Sequence, residues 1–251
     1  PILVQEGGDF LWGREWLPGE SYGAWPMIYG SLMVTGLALL WALPVALGSA
    51  VFTSEFLPPR ARWWVKSVME LLAGVPGIVY GLLGAVYLAV WVRDALGLID
   101  GNTLLTASLL LALMILPTVM TLAEDALRAV PGEYRETALA LGLTRVEVAL
   151  RVVVPRALGG WMGAVLLGLG RAMGETVAVM LVIGGRDAVP SPWFDVFSPG
   201  QSIPSKLGRE AAEALGSGLH WNALAGLGAV LFLWVLGISL AARAFLGRRE
   251  A

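Results

Sequence analysis

The sequence contains no cysteine and a single histidine, His220. The chain therefore builds no disulfide framework, no thiol nucleophile and no metal site of cysteine and histidine ligands. Charged residues are also scarce, at 14% of the 251 residues, against about 25% in an ordinary soluble domain. Hydrophobic residues make up 57% of the chain, and its mean hydropathy is +0.73. This composition excludes a disordered chain and argues against a soluble globular enzyme.

Nucleic acids and nucleotides are disfavoured as ligands. The formal net charge of -2 gives no bulk attraction to nucleic acid, so we expect no nucleic-acid partner. A string of the form G-x-x-x-x-G-K-S/T, which would hold the phosphates of a nucleotide, is missing from the sequence. The sequence also brings no serine, histidine and aspartate triad and no catalytic carboxylate pair together. We therefore expect that the chain is not an enzyme and holds no metal or cofactor of its own.

Long apolar runs determine the class of the protein. A hydrocarbon core of about 30 Å requires roughly 20 residues of helix. Five segments reach this length, and only the fourth contains charged residues: 28–52, 71–92, 103–123, 157–185 and 222–242. The pattern predicts an all-α, polytopic membrane protein with five transmembrane helices in this chain. Five buried helices of such length in a soluble protein are the disfavoured alternative.

Basic residues are distributed unequally between the segments that connect these spans. Segments 53–70 and 124–156, with the C-terminal tail, carry eleven of them, whereas the opposite side carries five. By the positive-inside rule the richer side is cytoplasmic, and so is the C-terminus. We expect residues 1–25 to form an extracytoplasmic segment and residues 26–247 to form a transmembrane domain, which contains an outer loop at 186–221. Residues 248–251 would form a cytoplasmic tail. An odd number of spans, and a start without Met, lead us to expect one further helix upstream, six in the full protein.

The second apolar run is interrupted by Gly74, Pro76 and Gly77. Proline removes a backbone donor and glycine permits bending, so we expect a kink or break in this span. In transporters such interruptions often line the pathway, but many membrane prolines are only packing features. The sequence leaves both alternatives open.

The segment 124–156 is the most informative connection. Pro131 suits a helix start, Gly142 suits a C-terminal cap, and Thr144 with Glu147 forms a capping-box pattern for a second helix. We expect two short helices joined by a glycine turn on the cytoplasmic side. Such a pair either rests on lipid headgroups or docks on a partner, and the pattern alone does not separate the two.

Two charges interrupt the fourth run. Arg171 and Glu175 are four residues apart, so a continuous helix would place them on one face. A charge inside a bilayer costs several kcal/mol and usually faces a partner or an aqueous path. The planar fork of Arg171 suits phosphate oxygens. The alternative is a self-neutralising pair that holds two helices together.

Glu175 has two expected roles. It either orients Arg171 or accepts a hydrogen bond from the protonated oxygen of hydrogen phosphate. Because sulfate carries no proton at neutral pH, the second role would favour phosphate over sulfate.

Other residues near these spans carry structural expectations. Glycines spaced four apart in the fourth run predict close approach to neighbouring helices: Gly159, Gly163, Gly170 and Gly174. We expect His220, beside Trp221, at a surface or an interface.

Several strings resemble a known family. The string Glu136-Thr-Ala138, followed by Gly142 and by Val154-Pro155, resembles the EAA-type signature of ABC importer permeases. It has threonine in place of the usual second-position alanine. Further strings are similar to the C-type permease subunit of phosphate-specific importers, the PstC family: 27–31, 70–81, 168–184 and 216–224. These strings are spread over nearly the whole chain.

The resemblance implies a fold, a membrane and three groups of site residues. The fold is that of an ABC type-1 importer permease, a MetI-like helical bundle in the inner cell membrane. The loop 124–156 would be the coupling helix, acting through Glu136, Ala138, Gly142, Thr144 and Pro155. The hinge would consist of Gly74, Pro76 and Gly77. The substrate path would contain Arg171, Glu175 and Thr176.

The resemblance also implies partners and a mechanism. A second permease subunit would form a heterodimer with this chain, and a cytoplasmic ATPase dimer would bind ATP and Mg²⁺. An extracytoplasmic phosphate-binding protein would deliver inorganic phosphate, which would cross the lipid bilayer by alternating access. Importers of sulfate, molybdate or tungstate share the coupling loop, and a secondary anion transporter is the alternative outside the class.

Overall fold

The computed structural model describes the backbone of residues 9–250 and the side chains of residues 10–240. The predictions for residues 1–8 and for the last residue lie outside the described residues. The chain divides into two compact units. Unit 1 combines Pro1–Leu39, Pro76–Ala112 and Ala172–Gly237. Unit 2 combines Leu40–Val75, Leu113–Arg171 and Ile238–Ala251.

Among the residues that the structure describes, five helices are long and apolar enough to cross a membrane, as the sequence predicts. They are α2 (Trp25–Glu55), α4 (Gly77–Leu96), α5 (Leu104–Arg128), α7 (Arg145–Gly174) and the part Leu219–Leu240 of α10 (Leu219–Glu250). The shorter helices are α1 (Asp9–Trp12), α3 (Pro59–Ala73), α6 (Gly132–Ala140), α8 (Val177–Val182) and α9 (Ile203–Glu210). A two-stranded antiparallel hairpin pairs β1 (Trp16–Leu17) with β2 (Ser21–Tyr22).

All five spans have ends that differ from the predicted ones, and the differences near the predicted site residues are in the second and the fourth. The second begins at Gly77 rather than at residue 71, because α3 stops before Pro76, which has no backbone N–H to continue the helix. The fourth ends at Gly174 rather than at residue 185, and a separate short helix, α8, follows it. Both differences fall next to residues predicted to line the substrate path.

Two spanning helices contain a turn of π-helix. In α4 the turn covers Gly84–Leu88, and in α7 it covers Val148–Val153. The turn in α7 comes directly before Pro155, which lacks the N–H that a regular helical turn would use. The helix therefore passes this proline without ending.

The core of unit 1 joins the N-terminal hairpin to the start of α10. Its buried residues come from both ends of the sequence: Phe10, Trp16, Tyr22, Ala24, Met27, Ile203, Ala214, Ala223, Leu224 and Leu227. His220 packs among them, with its ring 5.6 Å from that of Tyr22 and its side chain 15% exposed. The hairpin therefore partly covers His220, which lies at a contact within unit 1 rather than fully exposed.

The core of unit 2 joins the second half of α2 to α5, α6 and α7. Its buried residues are small or branched: Ala46, Ala50, Val119, Met120, Ala123, Leu127, Val130, Ala138, Val148, Val153, Ala157 and Ala164. A Cβ at Gly160 would lie 2.4 Å from the Cβ of Ala126, and one at Gly168 would lie 2.5 Å from Cγ2 of Val119. These two glycines therefore allow the close approach of α5 and α7.

The four glycines predicted for that role do not fill it. A Cβ at any of them would meet no atom within 4 Å among the described contacts: Gly159, Gly163, Gly170 and Gly174. The spacing of the glycines was informative, but it did not specify which face of α7 turns toward α5.

Candidate functional site

The helix break at Gly74–Gly77 is confirmed. Helix α3 ends at Ala73, and the N–H of Gly74 donates to the carbonyl oxygen of Glu70 at 3.1 Å. Pro76 then leaves the helical region, with φ -59° and ψ 139°, and α4 begins at Gly77. The chain passes from unit 2 to unit 1 between Val75 and Pro76. A helix that ends here leaves carbonyl groups of its last turn without partners in the helix.

Arg171 satisfies one of these carbonyl groups. Its Nη2 donates to the carbonyl oxygen of Ala73, and its Nη1 donates to the hydroxyl of Thr118, both at 2.9 Å. Among the residues with described side chains, no carboxylate forms an ion pair with this guanidinium. Arg171 is therefore held by neutral acceptors, and it keeps both its charge and further N–H donors for an anion.

Glu175 lies outside α7. Because α7 ends at Gly174, the prediction that Arg171 and Glu175 share the face of one helix is wrong. The Glu175 carboxylate instead accepts a hydrogen bond from the N–H of Ala178 at 3.2 Å, in the first turn of α8. A Cβ at Gly77 would lie 2.5 Å from Glu175 Oε1, so the carboxylate packs against the first residue of α4. The positive ends of two helices thus face this negative charge.

A small cavity lies beside Glu175 within unit 1. Its volume is about 10 Å³, and hydroxyl side chains from α2 and α9 share its lining: Ser31, Thr35 and Ser202. A volume of this size has room for about one water molecule. The cavity is therefore much smaller than a phosphate ion.

Thr176 contacts a different neighbour. Its hydroxyl donates to the carbonyl oxygen of Gly174 at 3.3 Å. A Cβ at Gly208 would lie 2.8 Å from its methyl carbon, so Thr176 packs directly on α9. The three predicted path residues therefore have separate surroundings: Arg171 in unit 2, and Glu175 and Thr176 in unit 1.

The second predicted site, the coupling segment, forms two helices around a glycine turn. Gly142 adopts φ +88°, its N–H donates to the carbonyl of Leu139, and the N–H of Leu143 donates to that of Ala138. This is a Schellman cap, which requires a left-handed residue at the position of Gly142. Thr144 and Glu147 form the predicted capping box. The predicted glycine turn and capping box are confirmed, but the second helix is the start of the spanning helix α7 and not a separate short helix.

The segment outside the spans is shorter than expected. Helix α5 continues to Arg128 and α7 begins at Arg145, so the connection covers 129–144 rather than 124–156. Within it Ala138 is buried in the core of unit 2, whereas Glu136 is exposed. Pro155 lies exposed in α7, after the π-helical turn.

An ion pair that the sequence did not indicate fastens α6 to the end of α2. Arg135 donates to both carboxylate oxygens of Glu55, at 3.0 and 2.8 Å. It also donates to the carbonyl oxygens of Val130 and Leu127, at 2.7 and 2.9 Å. The hydrogen bonds to Glu55 raise the pKa of Arg135 above its ordinary value. The two partners are 80 residues apart in the sequence, so no local pattern links them.

The coupling segment presents apolar side chains to solvent. Leu141 is 76% exposed, and three further side chains around the turn are about half exposed: Leu139, Val146 and Leu150. The guanidinium of Arg156 lies 3.9 Å above the ring of Tyr134 and joins the two helices on another side. An exposed apolar cluster of this kind marks an interaction surface.

A second connection missed by the sequence prediction joins α3 to α5. Lys66 forms ion pairs with Glu124, at 3.1 Å, and with Asp125. Burial lowers the pKa of Lys66, but these hydrogen bonds outweigh burial, and the pKa lies above its ordinary value. These ion pairs hold α3 against α5 within unit 2, close to the helix break that follows α3.

Comparison with solved structures defines the class of protein. A chain of the MetNI methionine ABC transporter, in an inward-facing conformation, superimposes with a TM-score of 0.67 at 18% identity, covering 89% of this chain and 96% of that one. A chain of a bacterial ABC transporter involved in the import of alginate gives 0.66 at 14% identity, covering 89% and 78%. The fold is that of an ABC importer permease.

Comparison of sequences identifies the family. Residues 42–246 match the family described as "Binding-protein-dependent transport system inner membrane component". The chain belongs to this family, and it is a membrane-embedded permease.

The curated relatives agree with this placement. A protein of Mesorhizobium japonicum named "Phosphate transport system permease protein PstC" is 36% identical over 98% of this chain and 80% of its own length. A protein of Pasteurella multocida with the same name is 39% identical over 90% of this chain and 76% of its own length. A protein of Mycobacterium tuberculosis named "Phosphate transport system permease protein PstC 1" is 32% identical over 96% and 82%.

Proposed function

We propose that this chain is a permease subunit of an ATP-driven importer that carries inorganic phosphate into the cytoplasm. Two relatives named as phosphate transport system permease proteins match 90% or more of the chain, at 36% and 39% identity. The excess of basic residues on one side supports an orientation in the inner membrane with the C-terminus in the cytoplasm.

The hydrogen bonds of Arg171 are the observation that supports phosphate as the substrate. Its guanidinium is held by a hydroxyl and a carbonyl oxygen, and no described carboxylate neutralises it. Such a group attracts an oxyanion and binds it through forked hydrogen bonds. Because neutral acceptors hold it, Arg171 releases the anion more readily than a site with several cations would. A transporter needs this balance between binding and release.

Glu175 supplies selectivity within the same proposal. Its carboxylate accepts a hydrogen bond from the N–H of Ala178, and an ionised carboxylate offers only acceptors. Hydrogen phosphate carries a proton to donate, whereas sulfate at neutral pH does not. Glu175 therefore favours phosphate over sulfate at this point of the path.

The coupling segment connects the path to ATP hydrolysis in a partner. The exposed apolar side chains around Leu141 dock on a cytoplasmic ATPase dimer, which binds ATP and Mg²⁺. The Arg135 and Glu55 pair transmits the movement of α6 to α2. A second permease subunit forms a heterodimer with this chain, and an extracytoplasmic binding protein delivers phosphate. Closure of the ATPase opens the path outward, and hydrolysis resets it inward.

Competition during uptake tests the substrate. The full-length chain is co-expressed with its neighbouring permease and ATPase, reconstituted in vesicles with the binding protein, and supplied with labelled phosphate. We expect ATP-dependent uptake that excess phosphate abolishes and that sulfate and tungstate leave unchanged. Glu175→Gln should transport phosphate with reduced preference over sulfate. Assembly without phosphate uptake would keep the importer class and overturn the substrate. Unchanged selectivity in Glu175→Gln would overturn the role of that residue.

A further inference from the structure

The connection between α8 and α10 places Arg209 against the residue that precedes Arg186 in unit 1. Gly184 and Gly200 form a bridge, and the N–H of Arg186 donates to the carbonyl oxygen of Gly200 at 3.1 Å. Helix α9 then places Arg209 against Gly185, where a Cβ would lie 1.8 Å from its Nη1. Gly185 has φ +77° and no side chain, so the guanidinium of Arg209 rests directly on the backbone beside Arg186.

The acidic residues of this region are already engaged with another cation. Asp187 and Glu210 both form ion pairs with Lys206, which is 1% exposed. Glu210 also accepts a hydrogen bond from Nε1 of Trp16, at 3.2 Å. In the part of the chain with described side chains, neither Arg186 nor Arg209 pairs with a carboxylate, and both are exposed. Their two positive charges are therefore unneutralised and accessible.

These charges lie next to a residue of the predicted path. Gly208 precedes Arg209 in α9, and a Cβ at Gly208 would lie 2.8 Å from the methyl carbon of Thr176. Arg209 donates to the carbonyl oxygen of Met180, in α8, at 2.7 Å. This hydrogen bond fixes the position of the Arg209 guanidinium, and the residue before it, Gly208, contacts Thr176. Among the described contacts, the other N–H groups of the guanidinium remain free for an anion.

We propose that Arg209, with Arg186 next to Gly185 in the chain, forms a capture site for an oxyanion next to Thr176 in unit 1, where phosphate is held before it moves on to Glu175. The proposal rests on the proposed function and adds a binding step to it. Two arginines without acidic partners attract an anion and give it forked hydrogen bonds. Both arginines are exposed, so water and salt screen their attraction for the ion and the site can release it again, as a transfer step requires.

A purely structural role for Arg209 is separable by experiment. The hydrogen bond to Met180 needs a donor but no charge, and glutamine supplies one. Lysine keeps the positive charge but lacks the planar guanidinium that forms two parallel hydrogen bonds. If Arg209 only caps α8, Arg209→Gln should behave like the wild type. If it captures the anion, Arg209→Gln should fail and Arg209→Lys should retain much of the function.

The test measures phosphate uptake per ATP hydrolysed in the reconstituted complex with its binding protein. We expect Arg209→Gln to lower this ratio about tenfold, with ATP hydrolysis still stimulated by the binding protein. Arg186→Gln should lower it less, and Arg209→Lys should largely restore it. The matched control is Arg93→Gln in the same unit, because Asp94 already pairs with Arg93. Uptake by the wild type should also fall with rising salt more steeply than uptake by Arg209→Gln.

Each outcome decides the proposal. A wild-type ratio in Arg209→Gln would overturn it. If Arg209→Gln does not assemble, Arg186→Gln decides instead, since no described hydrogen bond involves the Arg186 side chain, and a normal ratio there would overturn the capture site. Failure of the proposed function is seen separately, as an assembled wild-type complex that takes up no phosphate at all.

Discussion

Removal of Arg135 should loosen the coupling helix α6. Arg135→Met keeps the length of the side chain but loses both hydrogen bonds to Glu55 and both bonds to backbone carbonyls. Breaking a buried pair by removal of one partner costs about 3–5 kcal/mol. The two side chains are 24% and 10% exposed, so solvent screening reduces the cost, and we expect about 2–3 kcal/mol.

Hydrogen exchange measured by mass spectrometry reports this change directly. Local opening of α6 exposes its amides, so a loss of this size should speed their exchange on the order of 100-fold. If α6 docks on the ATPase as proposed, uptake per ATP should fall as well, because α6 would then move without α2. Arg128→Met is the matched control, since Arg128 is half-exposed and lies 3.9 Å from Glu124. Exchange in Arg135→Met equal to that in the control would refute the fastening role.

Four further substitutions test other parts of the structure. Gly77→Ala should displace the Glu175 carboxylate and lower phosphate uptake, whereas Gly74→Ala meets neighbours only at 3.5 Å or more and should be tolerated. Gly142→Ala places a side chain at φ +88°, which should destabilise the coupling turn by about 1 kcal/mol, measured by hydrogen exchange. Lys66→Met should destabilise α3 equally at pH 7 and pH 9. The pKa of Lys66 is raised in the folded state and has its ordinary value in the unfolded state. Lys66 is therefore charged in both states below about pH 10.

These predictions have distinct contradicting results. Equal uptake in the two glycine variants at the helix break would show that the close contact at Gly77 is unimportant. Unchanged exchange around the turn in Gly142→Ala would contradict the need for a left-handed residue there. A loss for Lys66→Met that disappears at pH 9 would mean that Lys66 is already neutral at that pH.

Local patterns were sufficient to predict the spans and the coupling segment. The spans follow from uncharged runs, and the coupling turn follows from Pro131, Gly142 and Thr144, whose roles depend on residues close in sequence. The end of α7 was not predictable in this way. No proline lies between Gly174 and Val189, and Glu175 instead leaves the helix to meet Gly77, which is far away in the chain.

Tertiary pairing explains the other differences. The sequence gave no reason to prefer Gly160 over Gly159 for helix contact, because the choice depends on which face of α7 meets Ala126. Arg135 and Glu55 meet only after α2, α5 and α6 have packed together. The burial of His220 likewise depends on an N-terminal hairpin that is distant in sequence.

The most direct test of the proposed transport function is phosphate uptake by Arg171→Ala. The complex is assembled with its second permease, ATPase and binding protein, and uptake of labelled phosphate is followed with ATP present. We expect the wild type to accumulate phosphate and Arg171→Ala to lose uptake while the complex remains assembled and hydrolyses ATP. Wild-type uptake by Arg171→Ala would contradict the central role of this guanidinium in carrying phosphate across the membrane.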